Sequence, residues 1–507
     1  MLYRVKVGDE YSEAFNSTWG IMAGDSISPA LFLAYTFDFE PPLSSDDVII
    51  EGVHISKLAF ADDVIFLLFA NRNSPSISAM QDRLSWVEGE YCARVSFLEL
   101  NASKSLCCII GARHQPDAPL TVIAPNGGDT QPIDYVDHFR YGGIHFSSDL
   151  RNTFYLNYKT WASKAQNAAY NVISTESFVG SLPIREGIRL YFALVDPYLI
   201  FGCDVIIDTI EKNLRTLEKV QLYFLRRLLG LNPRSPIGPL FTETGVMPIR
   251  HRRIILALRF ARYALLQDAN HFVNLAFRDA IQMHTNGKRS WVTDLETALK
   301  RLPLFPVILD IRELENVAGI DSLIDQVQSS CAQFLYQSLD TERLPLLKGE
   351  LRPIVSTSFQ TVLCLRKYLR TVRVPAHRRA LLSLLCADHS LGVEQFRRRR
   401  YPDKSRIPPE CRACRYCDAP TETEIHALFR CEGPEESSML IDRRLEFMER
   451  VDQVDIGALG ERLVSRCTSD TDESAVIAIH FFLEHDDLAP AFAKYVYDVL
   501  EMFPISL

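Results

Sequence analysis

At 507 residues the chain is long enough for roughly three domains. Its 47% hydrophobic and 23% charged residues are ordinary for a globular protein, so a large core can be buried. Lys+Arg 55 against Asp+Glu 64 leaves a formal charge of −9, so any binding of polyanions rests on local patches, not overall charge.

Twelve cysteines are too sparse for a disulfide scaffold, which points to a reducing compartment. The opening "MLYRVKVGDE" holds no apolar signal segment. The longest apolar run near the front, Val64–Ala70, is far short of the ~20 residues a membrane span needs. An intracellular chain, nuclear or cytoplasmic and not in a membrane, is therefore expected.

Residues 1–110 mix strands with helices. "YRVKVG" (Tyr3–Gly8) alternates like a strand. "SPALFLAYTFDF" (Ser28–Phe39) is apolar on all sides, as expected of a buried helix with Pro29 in its first turn. "LAF" and "VIFLLFA" bracket Asp62 and Asp63, the pattern of a hairpin buried on both faces. From Ser76 to Val95 the chain is amphipathic, with Ile77, Met80, Leu84 and Val87 at helical spacing. "KSLCCIIGA" and "FRYGGIHF" are further strand candidates, with Cys107 and Cys108 as small core residues.

From about Asn157 the pattern turns helical. The stretch Asn213–Pro233 carries Leu214, Leu217, Phe224 and Leu228 on one side and stops at Gly230 with Pro233 beyond. Its other side carries Arg215, Lys219, Tyr223 and Arg226 or Arg227, and the next helix repeats the theme with Arg252, Arg259 and Arg262. Each stripe is either a solvated helix face or, with its interleaved aromatics, a surface for nucleic acid. Residues 285–395 read as more helices with little chemistry. Then Arg397, Arg398, Arg399 and Arg400 open a basic stretch that also holds Lys404, Arg406, Arg412 and Arg415. That run is a nucleic-acid contact, a nuclear-import signal or a plain linker.

The module beyond it reads Cys414-x2-Cys417-x8-His426-x4-Cys431. A Cys3His set suits tetrahedral, closed and therefore structural Zn²⁺. The four-residue gap places His426 and Cys431 about one helical turn apart. Cys411 competes with Cys414 for the same ion, and free cysteines on a helical surface remain the plainer account. The remainder to Leu507 is helical and acidic. His54, His138, His145 and His251 show no ligand spacing, and no Gly-rich phosphate loop or nucleophile elbow appears.

Aspartate is at home in a hairpin turn, so Asp62 and Asp63 are compatible with turn chemistry alone. Two carboxylates at a rigid strand tip also suit Mg²⁺. Two such ions about 3.5–4 Å apart can activate a hydroxyl and stabilise a leaving group, given at least one further carboxylate from a neighbouring strand. Upstream lies "GIMAGDSISPALF", and downstream come "LELNASKS" and "YGGIHF". This order resembles the palm of reverse transcriptases, most closely those of LINE-type (non-LTR) retrotransposons.

The resemblance implies roles position by position. Phe60, Ala61, Asp62 and Asp63 match the metal box, with Asp62 the principal Mg²⁺ ligand. Gly20, Gly24, Ser28, Pro29, Leu31 and Phe32 match the box that contacts template and nucleotide. Asn101 and Lys104 match a third, with the lysine near the triphosphate, and Tyr141 and Gly143 match the turn that grips the primer. "SLPIREGIRLYFALVDPYLIFGCDVI" and the run from Leu217 through Arg253 resemble segments that follow such palms, and the cysteine module resembles the family's C-terminal cysteine-histidine motif.

Three departures stand out. Ala23 occupies the position of a Gln, and Gly142 that of a Leu. The family's first metal-binding Asp motif is not found among the nineteen residues before Gly20. The expectation is an α+β fold: partial palm at 1–150, helical thumb at 151–285, helical connector at 286–400, zinc knuckle at 401–435 and a C-terminal helical segment at 436–507. The expected activity is RNA-directed DNA polymerase, a two-metal nucleotidyltransferase working on an RNA template and a DNA primer or target. This N-terminally truncated chain is expected to be inactive alone. The alternatives are a non-catalytic RNA- or DNA-binding protein acting through the thumb and the zinc knuckle, or a chain with no stable fold.

Overall fold

The structure is a computed structural model. It describes residues 2–4, 6–16, 26–60, 63–70, 77–92, 100–112, 116, 118–123, 130–348, 362–397, 399–434, 438–454 and 459–504. Two compact units divide the chain, residues 1–156 and 157–507. The architecture is mixed α+β, with small sheets in the first unit and helices throughout the second.

In the first unit the strands form small ribbons. The largest sheet sets Leu120–Ile123 antiparallel to Thr130–Tyr135, with Leu120 opposite Ile133, and adds Leu106–Cys107 in parallel on the other side. The helix Ser78–Trp86 runs on into a π turn, Val87–Cys92. It lays the expected stripe on this sheet: Leu84 packs with Ala102, Leu120, Val122 and Ile133, flanked by Ile77 and Met80. Val87 packs with Phe39, whose ring stacks on Trp86 at 6.0 Å. The Gln81 amide docks the helix on the strand, donating to the Thr121 carbonyl (2.8 Å) and accepting from its N–H (2.9 Å).

Arg83 is buried on the opposite side and donates to Asp47 Oδ1 (2.7 Å) and the Ser56 carbonyl (2.7 Å). Burial pushes the Asp47 carboxyl up, but the Ser44 N–H and Arg83 outweigh it and hold the group below its ordinary value.

Several local expectations need correction. "YRVKVG" is not one strand: Leu2–Tyr3 pairs with Phe15–Asn16, and Lys6–Val7 turns back on Glu10–Tyr11. The helix at Ser28–Tyr35 forms but buries none of its residues, with Leu33 66% exposed. The hairpin of Leu58–Phe60 and Asp63–Ile65 forms too, but Phe60 is 71% exposed. It is a two-stranded ribbon with no third strand among the described residues, so its apolar runs have no second layer to face.

The second unit begins within the helix Tyr155–Ser174. The helix Glu211–Leu229 buries Leu214, Leu217, Val220, Phe224, Leu225, Leu228 and Leu229. It ends where Gly230 takes a left-handed φ of 71°, with the Leu231 N–H returning to the Arg226 carbonyl (2.9 Å). Gln221 joins it to its neighbours by donating to Tyr191 Oη (2.9 Å) and the Met247 carbonyl (3.0 Å) and accepting from the Ile249 N–H (2.8 Å). A core then gathers Ile254, Leu258, Leu295, Leu299, Ile320 and Leu323 from helices Ile249–Leu265, Trp291–Lys300 and Val317–Leu339. Toward the end, Phe447 stacks on Tyr495 at 4.9 Å within the bundle of Met439–Gln453, Asp472–Glu484 and Leu488–Met502. No helix among the described residues is long and apolar enough to cross a membrane.

Candidate metal centre and the motif residues

The cysteine module is built from two local turns. In the first, the Cys414 N–H donates to the Ala419 carbonyl (2.9 Å) and the Tyr416 N–H points at Cys414 Sγ (3.5 Å), which curls Cys417 back beside Cys414. The second starts where the His426 N–H is capped by Thr423 Oγ1 (3.1 Å) and runs through His426–Arg430. It is a π turn, not the α-helical one expected, and closes with the Cys431 N–H on the His426 carbonyl (2.8 Å). An i to i+5 bond brings residues five apart onto one side, as His426 and Cys431 require.

The result is a convergent donor set. Cys414 Sγ lies 3.7 Å from Cys431 Sγ, and Cys417 Sγ 3.3 Å from His426 Nε2. All four ligand atoms lie within 4.8 Å of one another. A tetrahedral zinc ion with bonds of about 2.3 Å to sulfur spaces its sulfurs at about 3.8 Å, so the cluster fits zinc with little adjustment. Among the described residues it is the one group of three or more metal-ligating side chains.

Burial pushes the Cys414 thiol up to about 12 and the Cys431 thiol up as well, and it lowers His426. The imidazole is thus held neutral, ready to donate a lone pair, while the thiols ionise only against a cation. Four protein donors leave no open position for water, so such an ion is structural. Cys411 lies outside the group, exposed in a short 3-10 turn, and the choice between it and Cys414 falls to Cys414.

The module is tied in by residues that spacing alone did not single out. The Glu422 carboxylate, almost fully buried, accepts from the Gly392 N–H (2.7 Å), the Arg415 N–H (3.0 Å) and Arg415 Nη2 (2.8 Å). Arg415 also donates to the carbonyls of Ser390 (3.0 Å) and Pro504, and the Tyr416 hydroxyl to that of Met502. Arg444 donates to the carbonyls of Leu428 (2.9 Å) and Cys431. The one sequence signal for Glu422 was an acid just past a basic stretch.

Of the motif residues in the first unit, Gly20, Gly24, Ala61 and Asp62 lie outside the described residues, as does Ala23. Asp63 is exposed and pairs with Phe60 across the hairpin. Among the described residues Asp63 belongs to no group of three metal-ligating side chains. Ser28 and Pro29 form the first turn of the helix Ser28–Tyr35. Asn101 closes a local turn, in which its Oδ1 accepts from Ser103 Oγ (2.7 Å) and the Lys104 N–H (3.2 Å), and the Lys104 side chain is left exposed.

Tyr141 and Gly143 belong to a second hairpin, His138–Tyr141 with Ile144–Ser147. Gly142 and Gly143 have φ of 55° and 85°, the double left-handed turn that a two-residue hairpin demands, so glycine in place of Leu has a local reason. Burial chiefly, then the charge of Asp63 on the first hairpin, raises the Tyr141 phenol above its ordinary value.

The basic residues are largely occupied. Arg215 Nε pairs with Glu211 at 3.1 Å, Arg252 with Asp196 at 2.7 Å and Arg262 with Asp321 at 3.0 Å. Arg226 donates to Ser235 Oγ (3.3 Å) and the Ser235 carbonyl (3.1 Å). Arg397 pairs with the buried Glu394 at 2.7 Å, Arg399 stacks over Phe396 at 5.3 Å, and Arg400 donates to the Lys404 carbonyl (2.8 Å). Arg412 is buried and donates to the Val393 carbonyl (2.6 Å). Lys219 and Arg227 are exposed, and Arg398 lies outside the described residues.

Compared with known proteins, the chain matches no family model, no curated protein and no solved structure.

Proposed function

We propose that this chain is a nucleic-acid-binding protein of reverse-transcriptase ancestry. On that proposal residues 1–150 correspond to part of a LINE-type palm, residues 151–285 to a helical thumb, and the Cys414–Cys431 module to a zinc knuckle that helps hold RNA or target DNA. The observation that carries it is an electrostatic link between two motif boxes far apart in the chain: the charge of Asp63 on one hairpin helps raise the phenol of Tyr141 on the other.

In a palm of this kind Asp62 and Asp63 hold magnesium, Lys104 neutralises the triphosphate, and the Tyr141–Gly143 turn positions the primer end. Magnesium, when bound, would supply the charge that offsets the developing alkoxide and pyrophosphate. Within these 507 residues no further carboxylate segment of the family pattern accompanies the pair. Each 1.4 kcal/mol of lost transition-state stabilisation is about a tenfold loss of rate, so this polypeptide by itself is expected to bind and not to polymerise.

The test is primer extension on an RNA template with Mg²⁺, run beside retention of the same RNA at graded salt. Retention that falls steeply with salt, with no synthesis above an Asp62→Ala control, is expected. Robust synthesis abolished by Asp62→Ala overturns the inactivity. Absence of RNA and DNA retention even at low salt overturns the binding role.

A further inference from the structure

Arg378 has an environment that none of these roles uses. It lies in the helix Pro375–Leu385 and is 7% exposed, so its guanidinium is withdrawn from water. Nη1 donates to the Val372 carbonyl at 3.3 Å and Nη2 to Ser181 Oγ at 3.2 Å, both neutral acceptors. The fully buried Arg253 provides the contrast, because it faces Asp208 at 2.8 Å. Burial and the neighbouring Arg379 charge push Arg378 below its ordinary value against the charge of Glu176, and burial does the same to Arg226 against Asp388. An anion among these groups would offset the concentrated positive charge.

The groups meet around one cavity of about 260 Å³. Arg226 and Arg227 enter from the end of the helix Glu211–Leu229, Arg378 and Arg379 from the start of Pro375–Leu385. Glu176 is the lone carboxylate in the lining, and its Oε1 is already engaged by the Leu182 N–H at 3.1 Å. Pro375 opens its helix onto the same space, so the positive end of the helix dipole adds to the four guanidinium groups.

Gly230 is part of the construction. A β-carbon there would stand 2.9 Å from Arg379 Nε, so the bare backbone is what allows Arg379 to lie across the cavity edge. The volume falls below the roughly 300 Å³ at which sites for drug-sized ligands begin, which suits a single small anion rather than a whole nucleotide.

We propose that Arg226, Arg227, Arg378 and Arg379 form a phosphate-binding cleft. Resting on the nucleic-acid role above, the phosphate it receives is a backbone phosphodiester of the bound strand. Arginine forks bind phosphate oxygens in pairs, and four guanidinium groups face the single carboxylate of Glu176 in this lining.

The experiment uses the full chain and inorganic phosphate as probe. Thermal unfolding is followed against phosphate concentration, with sodium chloride holding ionic strength constant. Because Arg378 is buried and its replacement risks misfolding, the variant is R227Q/R379Q, two exposed positions. The wild-type midpoint is expected to rise with phosphate. The variant should melt close to wild type without phosphate and lose most of the rise. Its retention of single-stranded RNA should weaken, with a salt slope shallower by roughly one.

A wild-type midpoint indifferent to phosphate, or an equal rise in R227Q/R379Q, overturns the cleft. A phosphate-dependent rise lost in the variant, in a protein that retains no RNA, upholds the cleft and overturns its assignment to a strand.

Discussion

The sharpest perturbation available is the exchange of one cysteine at a time for serine in the C-terminal module. Many hydrogen bonds tie that module to its surroundings, among them the Gly392 N–H on Glu422, Arg415 on the carbonyls of Ser390 and Pro504, Tyr416 on the Met502 carbonyl and Arg444 on the carbonyls of Leu428 and Cys431. At about 1 kcal/mol net per hydrogen bond, each tie is small beside a metal site. A Cys3His zinc site supplies on the order of 10–16 kcal/mol of apparent binding energy near neutral pH. A bound zinc ion would therefore outweigh any single tie in keeping three thiols and an imidazole converged. Cys414→Ser, Cys417→Ser and Cys431→Ser should each lose the zinc and loosen the helix Leu488–Met502, whose end the module grips. Cys411→Ser should keep one zinc per chain, since Cys411 is exposed and outside the donor set. Zinc content by atomic emission, read beside limited proteolysis, decides the matter. Loss of zinc in C411S, its retention in C414S, or a wild-type protein without zinc would refute the reasoning.

Three further outcomes are expected. Asp208→Ala strands the Arg253 guanidinium, which is 1% exposed and holds Asp208 through bonds of 2.8 and 2.9 Å, so urea unfolding should show a loss of about 3–5 kcal/mol; the apolar pair R253M/D208L should lose much less, and equal losses would show that the pair's charge is not what matters. Gly245→Ala places a β-carbon 2.8 Å from the Cys364 carbonyl carbon at a φ of +72°, so its stability should fall by about 1–3 kcal/mol, and a neutral result would mean the backbone there is not constrained. Glu211 is held down to about 2, mainly by its hydrogen bond to Arg250, and so contributes stability that is present above the ordinary carboxylate range and fades as pH falls toward about 2. Glu218, raised by burial, slopes the opposite way, so Glu211→Gln should flatten the acid limb of the stability curve, and an unchanged limb would contradict the assignment.

Local features were legible because they are local. The spacing Cys414-x2-Cys417-x8-His426-x4-Cys431 pointed to the donors that converge, with Cys411 a rival for the place of Cys414. The stripe from Ile77 to Val87 named the face that packs, and Gly230 named the end of its helix, since periodicity and a left-handed stop are set within a turn or two of chain. The same logic failed for the continuous apolar runs at Ser28–Phe39 and around Asp63. Such runs mark segments able to be buried, but whether a second layer arrives is decided elsewhere, and here Phe37 is 79% exposed.

The tertiary structure alone chose Cys414 over Cys411, by turning one thiol inward and leaving the other in solvent. It also settled what each arginine does. In sequence Arg252 belongs to a basic helix stripe and Arg415 to a basic stretch, yet packing gives the first Asp196 and the second the buried Glu422. A guanidinium carries the same letter and charge whether it meets water, a carboxylate or its own kind. The partner is delivered by helices far apart in the chain, and only their packing fixes which one arrives.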